Sequence, residues 1–358
     1  MSRFVAILLA IFSLLPITVT AETPALSPPA DSKTGTTPAA ADYLKPVQTF
    51  DVPSVASGLF GLMKCDGEGN LYLAIPHDRT EEIHKLNAEG ERLLLVPDTD
   101  PQVKLDARGS FTVGRNGELY EIAFPHDITR QVLVYKSDGK YKSAIKLQVG
   151  FEWLPSALAV FPSGDLLISG LRWRGNDKPR SPFTGIFSPD GTLVKEVKLE
   201  DDDALWEMAA NGDSRVVPPW NRWGNLAVSS SEMETAADGN IYLMRWTSPA
   251  IFYAISPAGE VVRRFTVDPG DSFLSPSQMH ISGKRIAVLF FQRESKEERM
   301  MVVDLEGREV GAYSGIRAAG KTNPGMLLFA CYAADPERFT FISPKEDDKL
   351  QLLIAQPH

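Results

Sequence analysis

The chain has 358 residues, of which 43% are hydrophobic, and a formal net charge of −9 with a pI near 5.2. A protein that binds nucleic acid is expected to carry a basic face and a high pI, so this charge balance argues against that class. The two cysteines are too few for a disulfide framework, and they form no Cys-x-x-Cys metal motif.

The first 21 residues have the pattern of a secretory signal peptide. Arg3 gives a positive start, an apolar core of about a dozen residues follows, and Val-Thr-Ala at 19–21 supplies a small-residue cleavage site. The apolar core is shorter than the roughly 20 residues that a membrane-spanning helix needs. We therefore expect an exported protein, periplasmic or secreted, without a transmembrane segment once the signal is removed. Retention as an N-terminal anchor is the alternative.

Residues 22–42 are rich in Pro, Ala, Ser and Thr and contain almost no large apolar side chain. Such a segment cannot bury enough surface to offset the entropy of ordering it, which predicts a flexible spacer. The remaining residues, 43–358, are predicted to form the folded domain.

A repeated pattern dominates this domain. The segment Leu-Tyr-Leu-Ala-Ile-Pro-His-Asp at 71–78 returns as Leu-Tyr-Glu-Ile-Ala-Phe-Pro-His-Asp at 119–127. A period in the forties is typical of repeat folds, whose units bury their apolar faces by stacking on neighbours. Most units carry two glycine turns flanked by β-rich runs, at Gly69 and Gly90, Gly117 and Gly139, Gly164 and Gly191, Gly239 and Gly259, and Gly283 and Gly307. Two hairpins per unit predict four antiparallel strands.

The units fall near 58–98, 105–150, 154–200, 230–268, 277–316 and 326–356, which makes six. The last unit lacks an outer strand, whereas residues 46–53 have the pattern of one. If the N-terminal strand completes the last unit, the ring closes and its exposed edge is paired. The sequence therefore predicts an all-β, six-bladed β-propeller with four antiparallel strands per blade.

The motif Gly-x-Leu/Ile-Tyr, followed by an apolar strand and a glycine turn, resembles the NHL-repeat type of six-bladed propeller. The unit from Gly69 to Gly90 fits it well, and the resemblance covers essentially the whole mature chain. These motifs specify a blade and not an activity. Propellers similar to gluconolactonase and regucalcin hold a divalent ion at the channel mouth, and amidating-lyase propellers use several histidines on a metal. The Glu-Gly-Pro signature of the former is missing near the first blade.

The loops after the second strands and an insertion at 201–229 are expected on one face of the ring. They carry an Arg/Trp-rich set consisting of Arg172, Trp173, Arg174, Trp220, Arg222, Trp223, Arg245, Trp246 and Arg293. Tryptophan and arginine are enriched at binding hot spots, and long insertions in compact repeats are usually functional. We therefore expect a binding or scaffolding protein whose partner is an unknown ligand or an envelope or extracellular protein. Packing between blades is the alternative for the tryptophans, and the acidic run at 200–203 is expected to be a solvated loop.

A metal-dependent hydrolase or lyase at the channel mouth is the competing hypothesis, with His77, His126, Glu232 and His280 as the metal candidates. The two Pro-His-Asp loops have a simpler explanation, since proline ends a strand and aspartate caps a turn. No cofactor is assigned, and the catalytic residues are unknown.

Cys65 and Cys331 fall in the predicted innermost strands of the first and last units. A closed ring would make these strands neighbours, and an exported protein can keep a disulfide. A Cys65–Cys331 disulfide and a pair of free thiols both remain open, because disulfide geometry between inner strands is demanding.

Overall fold

The computed structural model describes residues 42–52, 62–77, 80–96, 105–125, 130–173, 180–211, 231–292, 297–318, 321–322, 327–344 and 350–358. They belong to one compact unit, Ala40–His358. The expected signal peptide and all but the last residue of the expected spacer lie outside the described residues. Among the residues that are described, no helix is both long and apolar enough to cross a membrane.

The described chain is almost entirely β-structure. In chain order its elements are β1 (Asp42–Val52), β2 (Met63–Cys65), β3 (Leu71–His77), β4 (Thr80–Leu86), β5 (Arg92–Val96), β6 (Leu105–Val113), β7 (Leu119–Pro125), β8 (Gln131–Tyr135), β9 (Tyr141–Lys146), β10 (Trp153–Val160), β11 (Leu166–Trp173), β12 (Arg180–Phe187), β13 (Leu193–Glu196), α1 (Asp202–Ala210), β14 (Glu232–Thr235), β15 (Ile241–Arg245), β16 (Ala250–Ile255), β17 (Val261–Val267), β18 (Ser275–Ser282), β19 (Arg285–Gln292), β20 (Glu297–Asp304), β21 (Glu309–Ala318), β22 (Lys321–Thr322), β23 (Leu328–Ala334), β24 (Glu337–Pro344) and β25 (Leu350–Pro357).

Four separate four-stranded sheets hold β2–β5, β6–β9, β10–β13 and β14–β17, each in chain order. The other strands form one larger sheet in the order β18-β19-β20-β21-β1-β25-β24-β23, with β22 paired to β21. The units at 277–316 and 326–356, expected as separate blades, therefore lie within one sheet. The physical reason is that β1 pairs with β21 of one unit on one side and with β25 of the other unit on the other side.

Strand β1 runs antiparallel to β25, from the pair Leu44–Pro357 to the pair Val52–Leu350. This is the pairing that the sequence predicts between the N-terminal segment and the last unit. On its other side, β1 pairs in parallel with β21 through only two residue pairs, Asp42–Tyr313 and Leu44–Ile316. The larger sheet thus consists of two antiparallel four-stranded halves with a short parallel link.

The first strands of the sheets lie side by side around a common centre. Contacts join β2 to β6, β6 to β10, β10 to β14, β14 to β18, β18 to β23, and β23 back to β2. The hydrophobic core lies between successive sheets, as where Phe252 of β16 packs in one cluster with Val288 and Phe290 of β19. Stacking of neighbouring units therefore buries the apolar faces, and the arrangement is propeller-like.

The ten predicted turn glycines all have positive φ, between 60° and 91°. At Gly191 the requirement is also steric, because a Cβ atom there would lie 2.0 Å from the carbonyl oxygen of Lys146. In the four separate sheets the first and second strands share the same connection, because the turn glycine donates a backbone hydrogen bond to the carbonyl oxygen three residues earlier, as at Gly69, Gly117, Gly164 and Gly239. Residues beside the glycines consequently occupy equivalent places around the centre of the ring.

Candidate functional site

A cavity of about 720 Å³ opens at the centre of the ring of first strands. All six first strands contribute to its wall, either through their last residues or through the turns that follow, and Arg338 of β24 adds to it. Because a second strand starts at this edge and ends at the opposite one, the loops after the second strands lie on the other side of the sheets. The cavity is therefore on the side away from the predicted Arg/Trp-rich face.

Lys64 of β2 extends across the centre from the first sheet to the fourth. Its ammonium group lies 3.8 Å from Glu232 Oε2 and 3.7 Å from Glu234 Oε1, and it donates a hydrogen bond of 3.4 Å to the carbonyl oxygen of Met233. The residue is only 5% exposed. A buried cation of this kind persists because opposite charges and hydrogen bonds compensate for its lost hydration.

Glu234 forms the second part of this central cluster. Its Oε1 atom lies 2.9 Å from Nδ1 of His280, and its Oε2 atom accepts a 2.7 Å hydrogen bond from the backbone nitrogen of Ile281. His280 is 1% exposed, and its Nε2 lies 3.4 Å from the carbonyl oxygen of Phe329. The carboxylate thus connects β14 to β18 while it also lines the cavity.

The two glutamates of β14 have pKa values shifted in opposite directions. Burial raises the pKa of Glu232, against the opposing positive charges of Lys64 and His280. Burial alone would also raise the pKa of Glu234, but the charge and hydrogen bond of His280 and the charge of Lys64 hold it below its usual value. One buried carboxyl therefore holds its proton more readily than the other.

The structure brings two of the four metal candidates together, since Glu232 and His280 both belong to the central cluster. Lys64 provides the positive charge beside the two carboxylates. Within the described ranges, no group of three or more His, Cys, Asp or Glu side chains is arranged to hold a metal ion. His126 lies outside the described residues, and of His77 only the backbone is described.

Arg245 ends β15 and is 0% exposed, which differs from the exposed binding residue that the sequence predicts. Its Nε donates to Asp202 Oδ1 at 3.0 Å and its Nη2 to Asp202 Oδ2 at 2.8 Å. The Nη1 atom donates to the hydroxyls of Ser169, at 3.4 Å, and Ser231. The guanidinium therefore fixes the start of helix α1 to the sheets.

The acidic run at 200–203 is correspondingly not a solvated loop throughout. Asp202 is 8% exposed, and burial raises its pKa although the charge of Arg245 opposes this. Asp201 accepts hydrogen bonds from Arg264 Nε at 2.8 Å and from the hydroxyl of Tyr253. Its carbonyl oxygen accepts the bond from the nitrogen of Leu205 that begins the helix. These carboxylates anchor the first part of the insertion.

Other members of the predicted Arg/Trp-rich face are also engaged within the protein. Arg172 pairs with Glu196 at 3.0 Å and lies over the rings of Phe151 and Phe183. Trp246 packs against the core, and its indole nitrogen is buried without a hydrogen-bond partner among the described residues. Trp173 is partly exposed. The remaining candidates, Arg174, Trp220, Arg222, Trp223 and Arg293, lie outside the described residues.

Cys65 and Cys331 form a disulfide between β2 and β23, with Cα atoms 5.5 Å apart and a separation of 266 residues along the chain. Cys65 lines the cavity between Lys64 and Asp66. The bond therefore joins the innermost strands of the first and last units, beside the site.

Sequence reasoning missed Lys64, Glu234, Arg115 and Arg338, all of which line the cavity. Lys64 stands alone in a short apolar strand and finds its partners about 170 residues away, so no local pattern reveals it. Arg115 had a detectable signal. In the first four units, the residue two positions before the first turn glycine is Gly67, Arg115, Pro162 or Ala237. Arg115, in the second unit, is the charged residue among these four.

No family model and no curated protein matches the chain. Several solved structures resemble it. A protein of unknown function from Bacteroides caccae is 12% identical, with a TM-score of 0.43 over 70% of this chain and 80% of that one. A protein described as a candidate gluconolactonase is 12% identical, with a TM-score of 0.46 over 89% and 94%. A structure from a study of two prolyl endopeptidases is 13% identical, with a TM-score of 0.40 over 84% and 49%. These likenesses are too distant to carry over an activity.

Proposed function

We propose that this chain is an exported, periplasmic or secreted, binding propeller that holds a small polar ligand in the central cavity. The observation that carries this proposal is the cavity itself, which has about 720 Å³ and is lined by every first strand. Small-molecule sites typically have volumes of roughly 300–1,000 Å³ and a few convergent polar groups. The Arg/Trp-rich face has less support as the ligand site, because Arg245 is buried and Arg172 is paired.

The proposal includes six blades of the NHL-like type. Its support is the ring of six neighbouring first strands and the antiparallel four-strand order within each half of the larger sheet. The parallel link between the halves has only two residue pairs, so it joins two outer strands without changing their own blades. On this interpretation β1 is the outer strand of the last blade, which removes an open edge.

A cavity-filling variant tests the binding proposal. Ala237 is exposed on the turn after β14 and lines the cavity, so Ala237→Trp should fill part of it without disturbing the core. Ala258 is an exposed alanine on the outer turn of the same sheet, directly before Gly259, and Ala258→Trp is the control. We expect a thermal-shift screen of small polar metabolites to find a ligand that stabilises the parent and Ala258→Trp but not Ala237→Trp. Equal stabilisation of all three proteins would contradict the proposal.

A hydrolase or lyase, lactonase-like or amidating-lyase-like, is the second candidate function. The observation that favours it is the contact of His280 with Glu234, which lines the cavity, together with opposite pKa shifts at Glu232 and Glu234. Paired carboxyls with different proton affinities can divide acid and base roles. Elemental analysis and a lactone-hydrolysis assay test this function. Turnover that Glu234→Gln abolishes would support it, whereas turnover unaffected by that change would oppose it.

A further inference from the structure

We propose that the cavity selects small molecules that carry an anionic group, a carboxylate or a phosphate, and that Arg115 and Arg338 bind this group. This inference rests on the proposed binding function and names the chemical class of its ligand. It follows from the partners of the charged side chains at the cavity wall. The two arginines have no charged partner among the described residues, whereas the carboxylates beside them are already paired.

Arg115 and Arg338 stand on the two sides of the turn that follows β2. Arg115 is exposed on the turn between β6 and β7, and Arg338 lies on β24 opposite Ala333. Because β2 is flanked by β6 and β23, both side chains border the same part of the cavity. Neither guanidinium group has a hydrogen-bond or ion-pair partner among the described residues.

The half-buried carboxylate of Asp66, in this turn, is already paired. Asp66 Oδ2 accepts hydrogen bonds from Asn70 Nδ2 at 2.9 Å and from the Tyr72 hydroxyl at 3.1 Å. The ammonium group of Lys85 lies 3.2 Å from the same oxygen. Although burial opposes this, the hydrogen bonds from Asn70 and the nearby Lys85 leave the pKa of Asp66 below its usual value. Asp66 therefore has its own partners and does not need either arginine.

Glu337 precedes Arg338 in the chain but is engaged elsewhere. Its Oε1 atom accepts a 2.8 Å hydrogen bond from the Tyr332 hydroxyl and lies 3.4 Å from Arg285 Nη1. Its Oε2 atom accepts a 3.0 Å hydrogen bond from the Tyr313 hydroxyl. The adjacent acid is thus held by three other groups, and Arg338 keeps its donors for the cavity.

The two exposed acids of the wall, Glu68 and Asp335, limit the ligand further. They would repel a molecule with several negative charges, whereas they can accept hydrogen bonds from hydroxyl groups. The wall as a whole therefore favours a ligand with one anionic group for the arginines and hydroxyls for the acids. Guanidinium groups suit both carboxylate and phosphate, because their paired donors match two oxygens of either group.

Three matched probes test this inference on the intact mature chain by isothermal titration calorimetry. Glycerol is neutral, glycerate carries a carboxylate, and glycerol 3-phosphate carries a phosphate. We expect at least one of the two anions to bind and glycerol not to bind. Arg115→Gln and Arg338→Gln should each weaken that anion about tenfold or more, the effect of losing a charge-assisted hydrogen bond. The relative affinities of the two anions decide between carboxylate and phosphate.

The matched control is Arg92→Gln, which removes an exposed arginine of β5 and changes the net charge equally. It should leave anion binding unchanged. Anion binding that the two cavity variants do not weaken, or that Arg92→Gln weakens equally, would overturn the inference. If glycerol binds as tightly as both anions and Ala237→Trp abolishes that binding, the binding function stands and the ligand class is wrong. If none of the three probes binds, the anion inference falls, while the broader metabolite screen still decides the binding function.

Discussion

Replacing Arg245 by glutamine should strongly destabilise the protein, because this guanidinium is a structural cation. It is 0% exposed and makes two hydrogen bonds of 2.8–3.0 Å to Asp202 and further bonds to Ser169 and Ser231. Glutamine leaves the Asp202 carboxylate, 8% exposed, without its cation. Breaking a buried ion pair by removal of one partner costs about 3–5 kcal/mol. We expect a loss of that size at neutral pH.

Urea unfolding of a double-mutant cycle measures this loss. Asp202→Asn combined with Arg245→Gln should cost less than the sum of the single changes, with a coupling energy of about 1–3 kcal/mol. Arg264→Gln is the control, because Arg264 pairs with Asp201 while it is one-third exposed, and surface pairs contribute at most about 1 kcal/mol. A cost at Arg245 no larger than that at Arg264 would refute the structural role and return Arg245 to the ligand candidates.

Three further outcomes follow from the packing. Burial raises the pKa of Glu298 to about 7, so the folded state binds its proton more tightly and stability falls as pH rises from about 4.5 through 7. Glu298→Gln should remove this pH-dependent loss of stability, which is at most about 3 kcal/mol before solvent screening. The prediction is contradicted if the urea midpoints of the variant and the parent change in parallel between pH 5 and 8. Replacing both Cys65 and Cys331 by alanine should cost about 2–5 kcal/mol in urea unfolding, and free thiols in non-reducing peptide maps would refute the bond. Gly170→Ala should cost about 1–3 kcal/mol, since its Cβ would lie 2.1 Å from a strand carbonyl oxygen, whereas Gly150→Ala, with no atom within 4 Å, should stay near neutral in the same assay.

The sequence predicted the repeating strands because their signals are local. Gly69 and Gly90 bracket one hairpin, and positive φ at both is a requirement that few other residues meet. The pairing of β1 with β25 was also predictable, since an outer strand was missing from the last unit and present at the N-terminus. The parallel link between β1 and β21 was not, because two residue pairs between outer strands depend on how their sheets pack.

The candidate site was harder to predict because its contacts join distant parts of the chain. Glu232 and His280 were recognised as inner-strand residues, but their common neighbour Lys64 was not. Arg245 was assigned to an exposed face because it ends a strand, and Asp202 to a solvated loop because it lies in an acidic run. Arg245 and Asp202 pair with each other across 43 residues of the chain, and the sequence around either residue contains no pattern that reveals its partner.

The repeat itself indicates where function can vary in such a fold. The turn glycines must keep positive φ, so selection for folding acts on them directly, whereas the residue two positions earlier only needs to fit the turn. Gly67, Pro162 and Ala237 are small or apolar at that position, and Arg115 is the charged exception. A charge that the fold does not require, placed on the wall of a central cavity, is better explained by a ligand than by stability. This argument selects Arg115, more than the repeated Pro-His-Asp loops, as the first residue to change.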